Sequence, residues 1–135
     1  MTTDLGWILD EEIMPQPGAV HALLLSGDGL LIAASKGAEK DLADPVAAAV
    51  SGLQALSREM AGFAGCVGAA ATWEQTFLEF VGGAVMIMAA GQGTYLAVSM
   101  TADADYETVG YAARKTVDRL SQAMGVDART PGGAA

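Results

Sequence analysis

The sequence predicts an α+β domain in which a five-stranded antiparallel sheet carries helices on its faces. Apolar residues recur with helical spacing in three stretches, and five short apolar runs between them are bounded by turns, most of which contain glycine. These elements follow one another in the order α-ββ-α-βββ-α, which is a layered architecture. A chain of 135 residues with 52% apolar content can bury a real core without disulfides or metal ions.

The first two elements are predicted to be a helix and a β-hairpin. The helix has four apolar residues on one face, which are Leu5, Ile8, Leu9 and Ile13. Residues 15–18 (Pro-Gln-Pro-Gly) end it. The apolar runs 19–25 and 30–34 follow, separated by Ser-Gly-Asp-Gly. Asp-Gly between two apolar runs is typical of a tight hairpin turn, because its central residues need positive φ.

A long middle helix is predicted to begin at Asp44, as the N-cap, and Pro45, at the first helical position, and to extend to about Ala61. Five apolar residues along it keep the alternating spacing of helices that pack at a shallow angle: Val46, Ala49, Leu53, Leu56 and Met60. Its other faces carry mostly small side chains. These would let a second helix approach closely, although an alanine-rich genome that fills exposed positions with alanine explains them equally simply.

Three strands and a final helix complete the predicted domain. The strands are placed at residues 72–80, 84–90 and 94–100, and the helix starts at residues 103–105. Its apolar stripe comprises Tyr106, Val109, Ala113, Val117, Leu120 and Met124. We expect one domain over residues 1–126 and a flexible tail over 127–135.

Composition excludes several classes of function. A net charge of −9 argues against nucleic acid, because neutralising phosphates requires clustered Lys and Arg. The longest apolar run, residues 84–90, is far shorter than the roughly 20 residues of a membrane-spanning helix. The N-terminal sequence also lacks the features of a signal peptide. We therefore expect a cytoplasmic protein without direct membrane insertion, which a partner could still recruit to a membrane.

Few residues could perform chemistry. His21 is the only histidine and lies in a predicted strand, and Cys66 is the only cysteine. One histidine and one cysteine cannot complete a closed metal site, and no phosphate-binding loop of the Gly-x4-Gly-Lys-Ser/Thr type occurs. The sequence predicts no enzymatic activity, cofactor or metal.

The ordered elements over about residues 4–124 resemble the Roadblock dynein-light-chain family. The likeness rests on the hairpin at residues 19–34, the alanine-rich helix 44–61, the hairpin at 84–100 and the helix start at 105–111. It is greatest to the bacterial single-domain members that are encoded in operons with a Ras-like GTPase and a sensor-kinase-like protein.

The resemblance implies a profilin-like Roadblock fold and a homodimer in which the second helix and the third strand pair across a two-fold axis. It also implies a non-catalytic regulator or scaffold that binds a small Ras-like GTPase. In some members this stimulates GTP hydrolysis without an arginine finger, by fixing the GTPase's own switch loops. A sensor-kinase-like protein is a further implied partner.

Seven residues are candidates for the dimer or partner face: Ala48, Ser51, Gln54, Ala55, Arg58, Trp73 and Phe77. Arg58 is the only basic residue in the predicted helix, and we expect a salt bridge or a surface role for it. Trp73 and Phe77 join the interface if their strand is a sheet edge, with ordinary core positions as the alternative.

A small-molecule sensor module of PAS- or profilin-like topology is the alternative function. Such a sensor should hold an apolar cavity lined by convergent polar groups. The strands offer few buried polar candidates beyond His21, Ser99 and Thr101. A cavity in the structure would favour the sensor, and a flat shared helix face would favour the regulator.

Overall fold

The computed structural model describes residues 5–91 and 93–123. Their elements are α1 (Gly6–Glu12), β1 (Ala19–Ser26), β2 (Leu31–Ala34), α2 (Lys40–Arg58), β3 (Gln75–Phe80), β4 (Gly83–Gly91), β5 (Thr94–Thr101) and α3 (Tyr106–Ala123). One antiparallel sheet has the strand order β2-β1-β5-β4-β3. The predicted fold class and element order are confirmed. Met124 and the predicted tail lie outside the described residues.

The sheet separates two cores. α1 and α3 pack on one face, and α2 packs alone on the other. Alternate residues of β1 pack in the two cores. Ala22 and Leu24 face α1 and α3, whereas Leu23 and Leu25 face α2. Because β1 is buried on both faces, its sequence is a continuous apolar run rather than an alternating one.

The first core contains the stripe predicted for α1. All four of its residues are buried, and these are Leu5, Ile8, Leu9 and Ile13. Outside the core, Arg119 of α3 pairs with the Glu12 carboxylate and lies over the Trp7 ring, 5.0 Å from its centroid. These contacts join the end of the short α1 to the longer α3.

The predicted start of the middle helix is wrong. α2 begins at Lys40 with Glu39 as its N-cap, so Asp44 is not the cap and Pro45 lies inside the helix. Ala43 in the added turn is fully buried against the sheet, and Lys40 pairs with Asp44 at 2.8 Å. Burial of this turn offsets the backbone hydrogen bond that proline cannot make. α2 also ends at Arg58, before the predicted Ala61, where a series of turns begins.

The predicted apolar stripe of this helix is not the face that meets the sheet. Ala43, Ala47 and Val50 are buried there instead. Of the predicted stripe, Val46 and Leu53 are half-buried, and the exposed members are Ala49, Leu56 and Met60. Alanines place the helix close to the sheet, and the larger side chains are turned to its flank.

The third strand is shorter than predicted. β3 begins at Gln75 rather than at residue 72, and a 3-10 turn, Gly68–Ala71, occupies part of the preceding segment. Trp73 lies before the start of β3, and its ring packs edge to face with the ring of Tyr95, with centroids 5.5 Å apart. β3 is an edge strand, as is β2.

Candidate interaction surface on the α2 face

Large exposed apolar side chains concentrate on α2 and the segment that follows it. Leu56 is 67% exposed, Met60 61% and Phe63 92%. Leu42, which is also exposed and lies four residues before Val46, extends the predicted spacing towards the start of α2. We call the following residues the α2 stripe, because they are spaced alternately by four and three residues along one flank of α2 and into the turn that follows it: Leu42, Val46, Ala49, Leu53, Leu56 and Met60.

Four of the candidate interface residues lie on or beside the flank of α2 that faces the hairpin ends. The Ser51 hydroxyl donates to the carbonyl oxygen of Gly27 at 3.1 Å, which fixes the helix to the β1–β2 turn. Gln54, Arg58 and Trp73 line a groove of about 420 Å³ that reaches the end of the sheet beside Tyr95. The structure therefore brings these predicted residues together.

The other three candidates are placed differently. Ala48 and Ala55 are exposed on α2, outside the groove beside Trp73. Phe77 lies on the opposite face of the sheet, where its ring packs against Tyr106 of α3 with centroids 5.2 Å apart. The predicted set is thus divided between two faces.

Arg58 is exposed and forms no ion pair or side-chain hydrogen bond with any residue that the structure describes. It extends from the last turn of α2 at the rim of the groove that holds Trp73. An unpaired guanidinium at such a rim can bind a carboxylate or a phosphate in two-pronged fashion.

The end of α2 is tied to the edge strand. The hydroxyls of Ser57 and Thr76 are 3.0 Å apart, and the Trp73 indole N–H donates to Thr76 Oγ1 at 2.8 Å. β3 pairs with β4 on one side and with no described strand on the other. The α2 stripe and the open edge of β3 are therefore neighbouring parts of one surface.

A cavity of about 210 Å³ opens between the first half of α2 and the exposed ends of β1, β5 and β4. Its walls are almost entirely apolar, and they include Leu42 and Val46 of the α2 stripe together with Val85. Two polar residues also line it, and these are His21 and Ser99: Ser99 Oγ accepts the backbone N–H of His21, and His21 Nδ1 is enclosed without a partner among the described residues.

No pattern in the sequence indicates this cavity, because Leu42 and Val85 meet only in the folded chain. Thr101, the third polar candidate, lies away from it and donates to Asp103 at 2.7 Å. Within residues 5–91 and 93–123, no group of three His, Cys, Asp or Glu could hold a metal ion. No helix in that part of the chain is long and apolar enough to cross a membrane.

Comparison with known proteins identifies the family. The model of the Roadblock/LC7 domain matches residues 5–100. A Roadblock/LC7 domain from Streptomyces avermitilis is 30% identical, with a TM-score of 0.80 over 90% of this chain and 98% of that one. No curated protein matches the chain.

Two MglB structures share the fold at lower identity. MglB from Myxococcus xanthus is 17% identical, with a TM-score of 0.75 over 89% of this chain and 94% of that one. The gliding protein MglB from Thermus thermophilus is 19% identical, with a TM-score of 0.73 over 87% and 86% of the respective chains. Since the family model spans well over half of the sequence and the Streptomyces domain covers nearly all of it, the chain belongs to the Roadblock/LC7 domain family.

Proposed function

We propose that the protein is a homodimeric, non-catalytic regulator or scaffold that binds a small Ras-like GTPase in a bacterial signalling complex. The observation that carries this proposal is the α2 stripe, an apolar row in which the large side chains of Leu42, Leu56 and Met60 are exposed, beside the edge strand β3. We place the complex in the cytoplasm, where a sensor-kinase-like protein would be a second partner.

The α2 stripe is self-complementary. When two copies pair antiparallel, its spacing puts Leu42 opposite Met60 of the second copy, and Val46 opposite Leu56 of the second copy. The cavity lies beside Leu42 and Val46, at one end of the stripe, and the most exposed side chains lie at the other end. Each copy would insert its exposed end into the cavity of the other, as a two-fold interface requires.

The edge of β3 offers a second arrangement for a dimer. Its two-fold axis would lie outside β3, whereas full overlap of the stripes places the axis beside Ser51, which contacts the β1–β2 turn. β3 has six residues in unbroken register with β4, and its sequence, Gln-Thr-Phe-Leu-Glu-Phe, contains no lysine or proline that would block strand addition. The opposite edge, β2, has only four residues, and the register of its ladder with β1 shifts between Leu24 and Leu25. Pairing through β3 would give a ten-stranded sheet.

We assign the GTPase contact to the groove beside Arg58, Gln54 and Trp73, with the exposed outer face of α2 at Ala48 and Ala55 as its continuation. The groove lies on the flank of α2 away from the stripe, so dimerisation would leave it open. Arg58, which pairs with no residue that the structure describes, provides a positive charge in an acidic protein.

The test measures binding of the purified protein to the Ras-like GTPase encoded nearest to its gene, loaded with GTP or GDP, followed by single-turnover hydrolysis. We expect tighter binding to the GTP form and about tenfold weaker binding by Arg58→Ala. Lys40→Ala, which removes the same charge at the other end of α2, should bind like the wild type. No binding of the wild-type dimer to either form would overturn the proposal.

Hydrolysis rates separate the roles that Arg58 could have. An arginine finger contributes about 10³- to 10⁵-fold to the hydrolysis rate. If the protein stimulates hydrolysis, we expect a saturating concentration of the Arg58→Ala variant to retain most of the stimulated rate of GTP hydrolysis. If the protein is a scaffold, the rate should equal that of the GTPase alone with either protein. A thousandfold loss of the rate at saturation would instead make Arg58 a finger.

The cavity is the observation that favours the alternative, a small-molecule sensor. Its lining is mostly apolar, with His21 and Ser99 as the polar residues, and two of its wall residues belong to the α2 stripe. We therefore propose the second copy as its occupant. The methyl groups of Val85 and Leu42 report on the cavity by nuclear magnetic resonance. Chemical shifts that change as the protein is diluted would support the second copy as the occupant. Chemical shifts that change when small apolar ligands are added to the intact dimer would support the sensor.

A further inference from the structure

A second groove lies on the face of the sheet opposite α2, between the edge strand β3 and helix α3. It has a volume of about 510 Å³. Phe77 and Met86 form its floor, and its α3 wall carries Tyr106, Glu107, Tyr111 and Arg114. We call it the α3 groove. Neither the proposed helix pairing nor the GTPase contact uses it.

The groove exists because α3 lies over the middle of the sheet. The helix packs mainly on β4 and β5, and only side chains bridge it to β3. Gly110 permits this approach, since a Cβ there would lie 3.2 Å from Met86 Cε. β3 is therefore left uncovered on this face, and Phe77 and Tyr111 are exposed.

The rim of the groove carries both signs of charge. Glu107 lies in the first turn of α3, and two cations, Arg114 and Lys115, lie about two turns further along the helix. Arg114 donates to the neutral side chain of Gln75 at 2.8 Å, and the Lys115 ammonium lies 5.6 Å from the centre of the Tyr111 ring. Neither cation meets a carboxylate in the part of the chain that the structure describes, although acidic residues outnumber basic ones by 16 to 7. Arg119, on the same helix, has Glu12 as its partner.

We propose that the α3 groove docks an acidic amphipathic helix of a partner protein. Its apolar side chains would cover Phe77 and Met86, and its carboxylates would pair with Arg114 and Lys115. An apolar channel with two cations at one end is complementary to a helix that has one apolar face and carboxylates at the matching end. The site uses the face of β3 rather than its edge, so a dimer that pairs through β3 leaves it accessible.

The test uses a display library of random 16-residue peptides selected against the full-length protein. We expect the enriched peptides to combine Asp and Glu with large apolar residues at helical spacing. Their affinities are then measured by fluorescence anisotropy against two charge-reversed proteins. Arg114→Glu/Lys115→Glu should weaken binding at least tenfold, whereas Lys36→Glu/Lys40→Glu, which changes the net charge equally at a distant site, should not. Phe77→Ser should weaken binding as well.

Two further measurements test the proposal, and these are the salt dependence of peptide binding and the oligomeric state of the variants. Binding that depends on two charge pairs should weaken as sodium chloride is raised. The proposal is overturned if selection yields no acidic helical consensus, or if both charge-reversed proteins bind the enriched peptides equally. It is also overturned if Arg114→Glu/Lys115→Glu changes the oligomeric state, because the occupant would then be a second copy of this chain. Unchanged thermal unfolding of each variant shows that it is folded.

Discussion

Substitution of Leu56 best distinguishes an effect on dimerisation from an effect on folding. Leu56 extends from the last turns of α2, and 67% of its surface is exposed in the single chain. Complete burial of a leucine side chain contributes about 1.5–3 kcal/mol. If pairing covers the exposed two-thirds, Leu56→Ala removes about 1–2 kcal/mol for each copy. Because the interface is two-fold, the loss is about 2–4 kcal/mol for each dimer.

That loss corresponds to an increase of roughly 30- to 700-fold in the dimer dissociation constant. Sedimentation velocity over a dilution series measures it directly. The unfolding free energy of the separated chain should change by less than about 0.5 kcal/mol, since the side chain has few contacts to lose. Urea unfolding at the lowest protein concentration measures the stability of the separated chain. At higher protein concentrations, the same experiment measures how much dimerisation adds to that stability.

Leu30→Ala is the matched control. Leu30 is 64% exposed and lies at the β1–β2 turn, outside the α2 stripe. The substitution removes the same atoms from an equally exposed leucine, so general hydrophobicity cannot explain a difference between the two variants. Equal dissociation constants for both variants, or a wild-type protein that stays monomeric at every concentration, would refute the assignment of the α2 stripe to a dimer.

Other expected outcomes concern the backbone and one titrating group. Gly83→Ala should lower the unfolding free energy by about 1–3 kcal/mol, since a Cβ there would lie 2.6 Å from the Met100 carbonyl oxygen. Gly52→Ala, in open space within α2, should raise it by about 0.5–1 kcal/mol. Urea titrations check both, and a stable Gly83→Ala protein would contradict the close approach. Hydrogen bonds from Thr108, the side-chain hydroxyl first, lower the pKa of Asp105 below its ordinary value of 3.8. Its contribution to stability is therefore complete above the unfolded pKa and is lost as pH falls through the folded one. Between about pH 5 and pH 2, the unfolding free energy of Asp105→Asn should therefore decrease less than that of the wild type. An equal decrease in both proteins would argue against a lowered pKa for Asp105.

The elements that could be predicted from sequence are those whose local signals agree with the tertiary packing. The stripe of α1 and the turn of the first hairpin follow from local signals, and Gly29 in that turn has a positive φ of 85°. The predicted start of α2 is wrong because Asp44 and Pro45 have strong local preferences for a helix start. Burial of Ala43 against the sheet, which no local pattern reveals, overrides those preferences.

The candidate site is only partly predictable, for a related reason. Periodicity identifies an apolar stripe on α2 but does not tell which neighbour covers it. In a sequence rich in alanine, Ala43 and Ala47 look like surface positions, yet they are the residues that meet the sheet. Phe77 alternates with Thr76 along β3, so its face follows from the strand register, which the sequence alone does not determine.

The dimensions of the sheet support the proposed dimer, because α2 covers only part of the face on which it packs. The longer strands have eight or nine residues, so the sheet is roughly 26–30 Å deep along the strand direction. α2 contacts β2, β1 and β3, and therefore crosses the strands rather than following them. A helix is about 10 Å wide, which covers less than half of that depth. The uncovered part contains the cavity, with Val85 in its wall, and it borders the flank that carries the α2 stripe. An antiparallel helix from a second copy has the width, the apolar surface and the position to cover it.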